Sequence, residues 1–153
     1  MYLIRGQNNL ELFRTRYSKN KLCGTIGNFD GLHLGHQAIL EKIKKNSKKY
    51  DAKTIVFFTE PHAAEYFAKI RDESSEMPPR ICPWREKVKL LRKYGIDFAF
   101  FLKFNNSLRT MTPENFISEI LESINLVSFT VGDDFRFGQN RKGDIDLLRD
   151  WGS

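Results

Sequence analysis

Leu22-Cys-Gly-Thr-Ile-Gly-Asn-Phe-Asp-Gly-Leu-His-Leu-Gly-His36 decides how the rest of the chain is read. Its first half, Leu22–Asn28, is an apolar, β-capable run in which Gly24 and Gly27 permit close backbone approach. Its second half leads into a helical pattern from about Leu34. The junction holds an H-x-G-H turn and two of the chain's three histidines, His33 and His36. A strand-to-helix turn presents backbone N–H groups and the positive end of the helix dipole to whatever lies above it. Two imidazoles at that spot suit a phosphate. A turn with two incidental polar side chains is the plainer reading. A metal pair is a third, but zinc sites normally bring a further ligand at recognisable spacing, and Asp30 alone does not complete one.

Outward from this segment, short apolar runs alternate with helical patterns, as in a mostly parallel α/β sheet flanked by helices. Upstream, Tyr2–Arg5 reads as a brief strand. Downstream, the helix from about Leu34 to Lys48 is expected to turn Ala38, Ile39 and Ile43 inward, with lysines on its other face. Thr54–Phe58 reads as a strand buried on both faces. Asp72–Pro79 is the most loop-like stretch, and a helix follows from about Trp84 to Tyr94 with Val88, Leu90 and Leu91 inward and Gly95 as its stop. Ile96–Leu102 is the next strand. Thr112 is placed to cap a helix that has Pro113 at its first position and Phe116, Ile117, Ile120, Leu121 and Ile124 as its core stripe. Val127, Phe129 and Val131 alternate in a last strand that ends at Gly132.

The 153 residues suit one domain with a real core, and 29% charged against 41% hydrophobic is ordinary globular composition. A formal charge of +6 favours anionic partners. Much of the excess is Lys42, Lys44, Lys45, Lys48 and Lys49, which read as one solvated helix face rather than a nucleic-acid patch. No nucleic-acid partner is expected. Cys23 and Cys82 form no C-x-x-C pair, which fits a reducing, cytoplasmic setting without disulfides or a zinc site. The first residues lack a signal-peptide layout, and no apolar run is long enough to span a bilayer, so no membrane partner is expected.

In open parallel sheets, ligands bind at the carboxyl ends of the strands. Gly27–His36, Thr59–His62 and Gly132–Gly138 all fall at such ends and should converge. Taken together, G-N-F-D-G-L-H-L-G-H at 27–36, F-T-E-P-H at 58–62 and V-G-D-D-F-R-F-G at 131–138 resemble the FMN adenylyltransferase (FAD synthetase) module of the bacterial bifunctional riboflavin kinase/FMN adenylyltransferase family. R-E-K-V-K-L-L at 85–91 and M-T-P-E-N-F at 111–116 also look like that family. The H-x-G-H turn alone points only to the wider nucleotidyltransferase superfamily. The D-F-R-F-G and E-P-H segments narrow it.

The resemblance implies a Rossmann-like nucleotidyltransferase fold and transfer of AMP from ATP to FMN, giving FAD and pyrophosphate with Mg2+ accompanying ATP. It implies catalytic roles for His33 and His36, and nucleotide contacts for Gly27, Asn28, Phe29, Asp30, Gly31, Gly35 and Asp134. On the flavin side it implies Pro61, His62, Phe67, Phe104, Arg136 and Phe137, and no protein-held metal. Ala63 departs from the family's P-H-P turn, which loosens the expected wall beside the isoalloxazine ring. Beyond Leu148 nothing resembles the family's Ser-Ser-x-x-Ile-Arg-like segment or its riboflavin kinase module. The sequence therefore reads as a C-terminally incomplete nucleotidyltransferase domain over 1–153, with homo-oligomerisation through exposed apolar surface as one expected consequence. Two other functions stay open: nucleotidyl transfer to another phosphorylated acceptor, and nucleotide or flavin binding without catalysis.

Overall fold

The computed structural model describes residues 1–27, 34–60, 84–132 and 135–152. In chain order these form β1 (Tyr2–Arg5), α1 (Leu10–Arg16), β2 (Leu22–Ile26), α2 (Leu34–Tyr50) and β3 (Lys53–Glu60). There follow α3 (Trp84–Lys93), β4 (Phe98–Lys103), the single turn α4 (Asn106–Arg109), α5 (Pro113–Phe116), β5 (Leu126–Thr130) and α6 (Ile145–Gly152). α5 runs on into a π-helical turn, Ile117–Leu121.

The five strands make one sheet in the order β1-β4-β3-β2-β5, and every pairing is parallel. Parallel strands are covered on both faces, so the central ones read as continuous apolar runs. In β4, Phe98, Ala99, Phe100, Phe101 and Leu102 are all buried. Alternation along the strands divides the core into two layers. Ile55, Phe57, Phe98, Phe100 and Leu102 face α1, α5 with its π turn, and α6, which contribute Phe13, Phe116, Ile120 and Leu148. Val56, Phe58, Ala99 and Phe101 face α2 and α3, which contribute Leu40, Ile43 and Leu91.

The α5 start matches the sequence reading. Thr112 Oγ1 accepts from the Asn115 N–H at 3.1 Å, and Pro113 occupies the first turn. Phe116, Ile117, Ile120, Leu121 and Ile124 are buried, although the regular helix gives way to the π turn after Phe116. Two details differ. Ala38 is exposed and Leu40 is buried instead. At 100° per residue, Ala38 is carried nearly opposite to Leu40, while the stripe through His36, Leu40 and Ile43 faces the sheet. β2 ends at Ile26 rather than Asn28.

Gly24 is required by packing. A Cβ there would lie 2.9 Å from Ile55 Cγ2 and 3.1 Å from Leu126 Cδ2, so the glycine gives both neighbouring strands room to fill the core. At the opposite, N-terminal end of the sheet, Asp97 Oδ2 accepts from Thr54 N at 2.9 Å and from Thr54 Oγ1 at 3.1 Å. The Asp97 N–H donates back to Thr54 Oγ1 at 2.9 Å.

Candidate nucleotide site

The strand order contains a reversal. From β2 the chain moves through α2 to β3 and through α3 to β4, on one face of the sheet. It then crosses by α5 on the other face to reach β5, which lies on the far side of β2. The loops leaving β2 and β5 therefore diverge to opposite faces, which opens a crevice above the carboxyl ends of these two strands. Gly27 and Gly132 begin those two connections, so two of the three segments marked by the sequence leave from neighbouring strand ends.

At the β2 exit, the Gly27 N–H donates to Phe57 O at 3.1 Å and holds the start of the loop against β3. Asn28, Phe29, Asp30, Gly31 and His33 lie outside the described residues. The chain resumes as α2, a helix of 17 residues with no acidic side chain in its first turn. Its N-terminal dipole is thus not cancelled by a carboxylate of that turn. Gly35 is exposed on that turn, and the half-buried His36 sits on the inward stripe with its Nδ1 atom buried.

Beyond β5, Asp134 lies outside the described residues, and the segment from Phe135 folds back on the core. Phe137 and Gly143 form an antiparallel bridge, with N–H to O distances of 3.1 and 2.9 Å. Phe137 is 6% exposed, stacks on Phe135 at 5.7 Å and tilts against Phe116 at 5.4 Å. The Gln139 N–H donates to Met111 O at 2.7 Å, fastening the segment to the start of α5. Arg136 is exposed and meets Asp144 at 3.4 Å, while Asp144 also accepts from the Leu147 N–H at 3.0 Å to cap α6.

Of the flavin-side candidates, Pro61, His62 and Phe67 lie outside the described residues. β3 runs through Glu60, so the first two follow directly from its carboxyl end. Phe104 comes just after β4, half-buried against the same apolar layer as Phe137. Gly27 follows β2 and His36 lies in the first turn of α2, Arg136 and Phe137 sit on the β5 side, and Phe104 stands across β3 from β2.

Lys87, in the first turn of α3, was not singled out by the sequence reading. It is wholly buried, with Nζ 4.9 Å from the centre of the Phe58 ring. Its spacing carried the signal: Lys87 precedes the fully buried Leu91 by four residues and shares its stripe. Cys23 is also buried, and burial raises its thiol above the ordinary value near 9.0, so it serves the core as a protonated small hydrophobe. Among the described residues no three His, Cys, Asp or Glu side chains gather to hold a metal, and no helix is long and apolar enough to cross a membrane.

An all-parallel sheet covered by helices on both faces, with a switch point between β2 and β5, defines a Rossmann-like α/β domain. The FAD synthetase family matches residues 15–153, and the chain belongs to that family. It is 37% identical to the bifunctional riboflavin kinase/FMN adenylyltransferase of Buchnera aphidicola subsp. Acyrthosiphon pisum, over 99% of this chain and 46% of that protein. Its identity to the enzyme of the same name from Escherichia coli K12 is also 37%, over 97% of this chain and 45% of that protein. It is 36% identical to the FAD synthetase of Listeria monocytogenes, over 82% of this chain and 49% of that protein. The chain thus spans about half the length of these relatives. A solved structure titled as a macrolide-efflux protein from Streptococcus pneumoniae shares the fold, with a TM-score of 0.76 at 19% identity over 99% of this chain and 47% of that one.

Proposed function

We propose that the chain is an adenylyltransferase domain that joins AMP from ATP to FMN, forming FAD and releasing pyrophosphate. In that reaction an FMN phosphate oxygen attacks the α-phosphorus of ATP, and the bond to the β-phosphate bridging oxygen breaks. The protein's work is alignment of two polyanions and neutralisation of the charge spreading over the transferring group. His36, with His33 just ahead of it, would donate to ATP phosphate oxygens from the start of α2. The helix N-terminus adds backbone donors, and Gly27, Gly31 and Gly35 let the triphosphate approach the main chain. Asn28, Phe29, Asp30 and Asp134 complete the nucleotide side. Pro61, His62, Phe67, Phe104, Arg136 and Phe137 supply the flavin side.

Mg2+ would be carried mainly by ATP oxygens and water, since it sheds its hydration shell reluctantly. Bound in that way, it would offset phosphate charge.

The observation that supports this reading is the place of the β2–α2 junction, with His36 in the first turn of α2, at the switch point between β2 and β5. Titration of FMN with the protein is expected to quench flavin fluorescence, and added ATP and Mg2+ to yield FAD and pyrophosphate. Binding of both ligands without turnover would reduce the reading to a binding module. ATP binding with no affinity for FMN would redirect it to another phosphorylated acceptor.

A further inference from the structure

The turn beyond Phe137 is built from backbone that long side chains seldom adopt. Gly138 has φ 79°, and two non-glycine residues follow in the left-handed region, Asn140 at φ 56° and Arg141 at φ 55°. Asparagine visits that region readily. Arginine does so rarely, because its Cβ crowds the neighbouring carbonyl oxygen. The turn is nonetheless firmly held. The Phe137–Gly143 bridge closes it, the Arg141 N–H donates to Gly138 O at 3.1 Å, and the Lys142 N–H donates to Gln139 O at 3.2 Å. A Cβ at Gly143 would stand 2.7 Å from two atoms of the Phe137 ring, so the base of the turn is close-packed as well.

Its place in the fold is the carboxyl edge of the sheet. Met111, to which Gln139 is fastened, lies between the carboxyl end of β4 at Lys103 and the start of α5 at Pro113. From Pro113 the chain descends to Asn125, whose carbonyl accepts from the first residue of β2, Leu22, at 2.8 Å. α5 therefore begins at the carboxyl edge, and the turn sits at the edge where β2 and β5 end. Of the two arginines on this segment, Arg136 is engaged by Asp144 at 3.4 Å. Arg141 is exposed, and its guanidinium meets no hydrogen-bond or ion-pair partner among the described residues. Strained backbone held by its surroundings concentrates at ligand clamps. A planar guanidinium, in turn, offers a fork of donors matched to phosphate oxygens.

We propose that Arg141 is a further binding residue of the site, a guanidinium that the strained turn presents to a phosphate group of a substrate. This rests on the FMN adenylyltransferase reading. Both substrates carry such a group, ATP as a triphosphate and FMN as a monoester, and separate titrations tell the two apart. A charge-assisted pair of this kind corresponds to about ten-fold or more in affinity. Because the left-handed position favours glycine, replacing Arg141 with glycine removes the guanidinium and relieves the backbone in one step.

The test compares the intact wild-type chain with Arg141→Gly, Arg141→Asn, Arg141→Lys and Lys142→Gln. ATP with Mg2+ is titrated by calorimetry, and FMN and riboflavin by flavin fluorescence, with a thermal melt of each variant. Gly and Asn both suit the left-handed backbone and lack the charge. These two variants are expected to melt at or above the wild-type temperature, yet to bind ATP or FMN about ten-fold more weakly, with riboflavin affinity unchanged. Loss for ATP assigns the triphosphate and loss for FMN the monoester, and either supports the inference. Arg141→Lys keeps the charge without the fork and is expected to fall between wild type and glycine. Lys142, a neighbouring cation with φ −74°, is the control, and its Gln variant is expected to bind as wild type does. Wild-type affinities in a folded neutral variant of Arg141 overturn the inference and leave the proposed function intact. So does a loss for riboflavin equal to that for FMN, or an equal loss in Lys142→Gln. A wild-type chain that binds neither ATP nor FMN overturns the proposed function and this inference with it.

Discussion

Gly138 is the position where a single methyl group should most damage the wall on the β5 side of the site. Its backbone has φ 79° and ψ 178°, a region essentially reserved for glycine. A Cβ there would stand 2.7 Å from Pro113 Cγ, 2.8 Å from Pro113 N and 2.9 Å from Pro113 Cα. Two of these atoms belong to the main chain, at the first position of α5, where the Thr112 cap holds them. Neither can move aside by a change of rotamer. The conformational cost alone is about 1–3 kcal/mol, and overpacking adds about 1–3 kcal/mol.

Taking about 3 kcal/mol as a conservative sum, Gly138→Ala should lower the melting temperature by roughly 6–12 °C for a chain of this size. Because Gln139 fastens to Met111 beside it, the same change should weaken ligand binding on the β5 side. The assay is a thermal melt followed by circular dichroism, with and without FMN and ATP. Gly152→Ala is the control, since a Cβ there meets nothing within 4 Å and alanine suits a helix better. A Gly138→Ala melt within about 2 °C of wild type would refute both the strain and the clash.

Three further outcomes are expected. Asp97→Ala removes the acceptor of two hydrogen bonds from Thr54, a residue 2% exposed; it should cost about 2–3 kcal/mol in urea unfolding and leave ATP affinity unchanged, because it acts at the far end of the sheet. His36→Ala should lower FAD formation by about 100-fold or more with less than about 1 kcal/mol lost in stability, and near-normal turnover would remove its proposed role. Burial raises the Cys23 thiol, so the contribution that depends on its neutral form is present below the ordinary, unfolded-state value near 9.0 and is lost as pH climbs above it. Relative to Cys23→Ala, wild-type stability should therefore fall more steeply above that pH, by at most about 1.4 kcal/mol per unit, and equal slopes would contradict the assignment.

The sheet was readable because parallel strands covered on both faces advertise themselves. Thr54–Phe58 and the aromatic run in β4 need no alternation to be recognised. The α5 start was readable because Thr112-Pro113 is a local signal that tertiary contacts do not override. What the sequence concealed was helical phase and long-range pairing. Ala38 looked inward because it lies beside Ile39, yet the phase of α2 is set by Leu40 and Ile43 pressing on Val56 and Phe58. α6 was invisible for a related reason. Its stability comes from Leu148 entering the core and from Trp151 Nε1 donating to Glu122 at 2.7 Å, both contacts with segments distant in sequence. On the site, the H-x-G-H turn marked the start of α2, but a lysine among solvated lysines gave no sign of burial until its four-residue spacing from Leu91 was set against the sheet.

The two ends of this sheet have separate duties. At the amino edge, Asp97 and Thr54 close backbone and side-chain hydrogen bonds between β3 and the start of β4, a device that only holds strands in register. At the carboxyl edge, the stripes of α2 and α3 run out in His36 and Lys87, and the β5 loop is pinned by Gly138 and Gln139 rather than by a strand. A glycine-only backbone conformation such as that of Gly138 carries a strain cost. The expected pattern of variants follows directly. Asp97→Ala should uncouple stability from binding in one direction, and His36→Ala should uncouple them in the other, lowering ATP affinity while leaving the melt near wild type. Equal effects of both on melting and binding would mean that this division between the two edges does not exist.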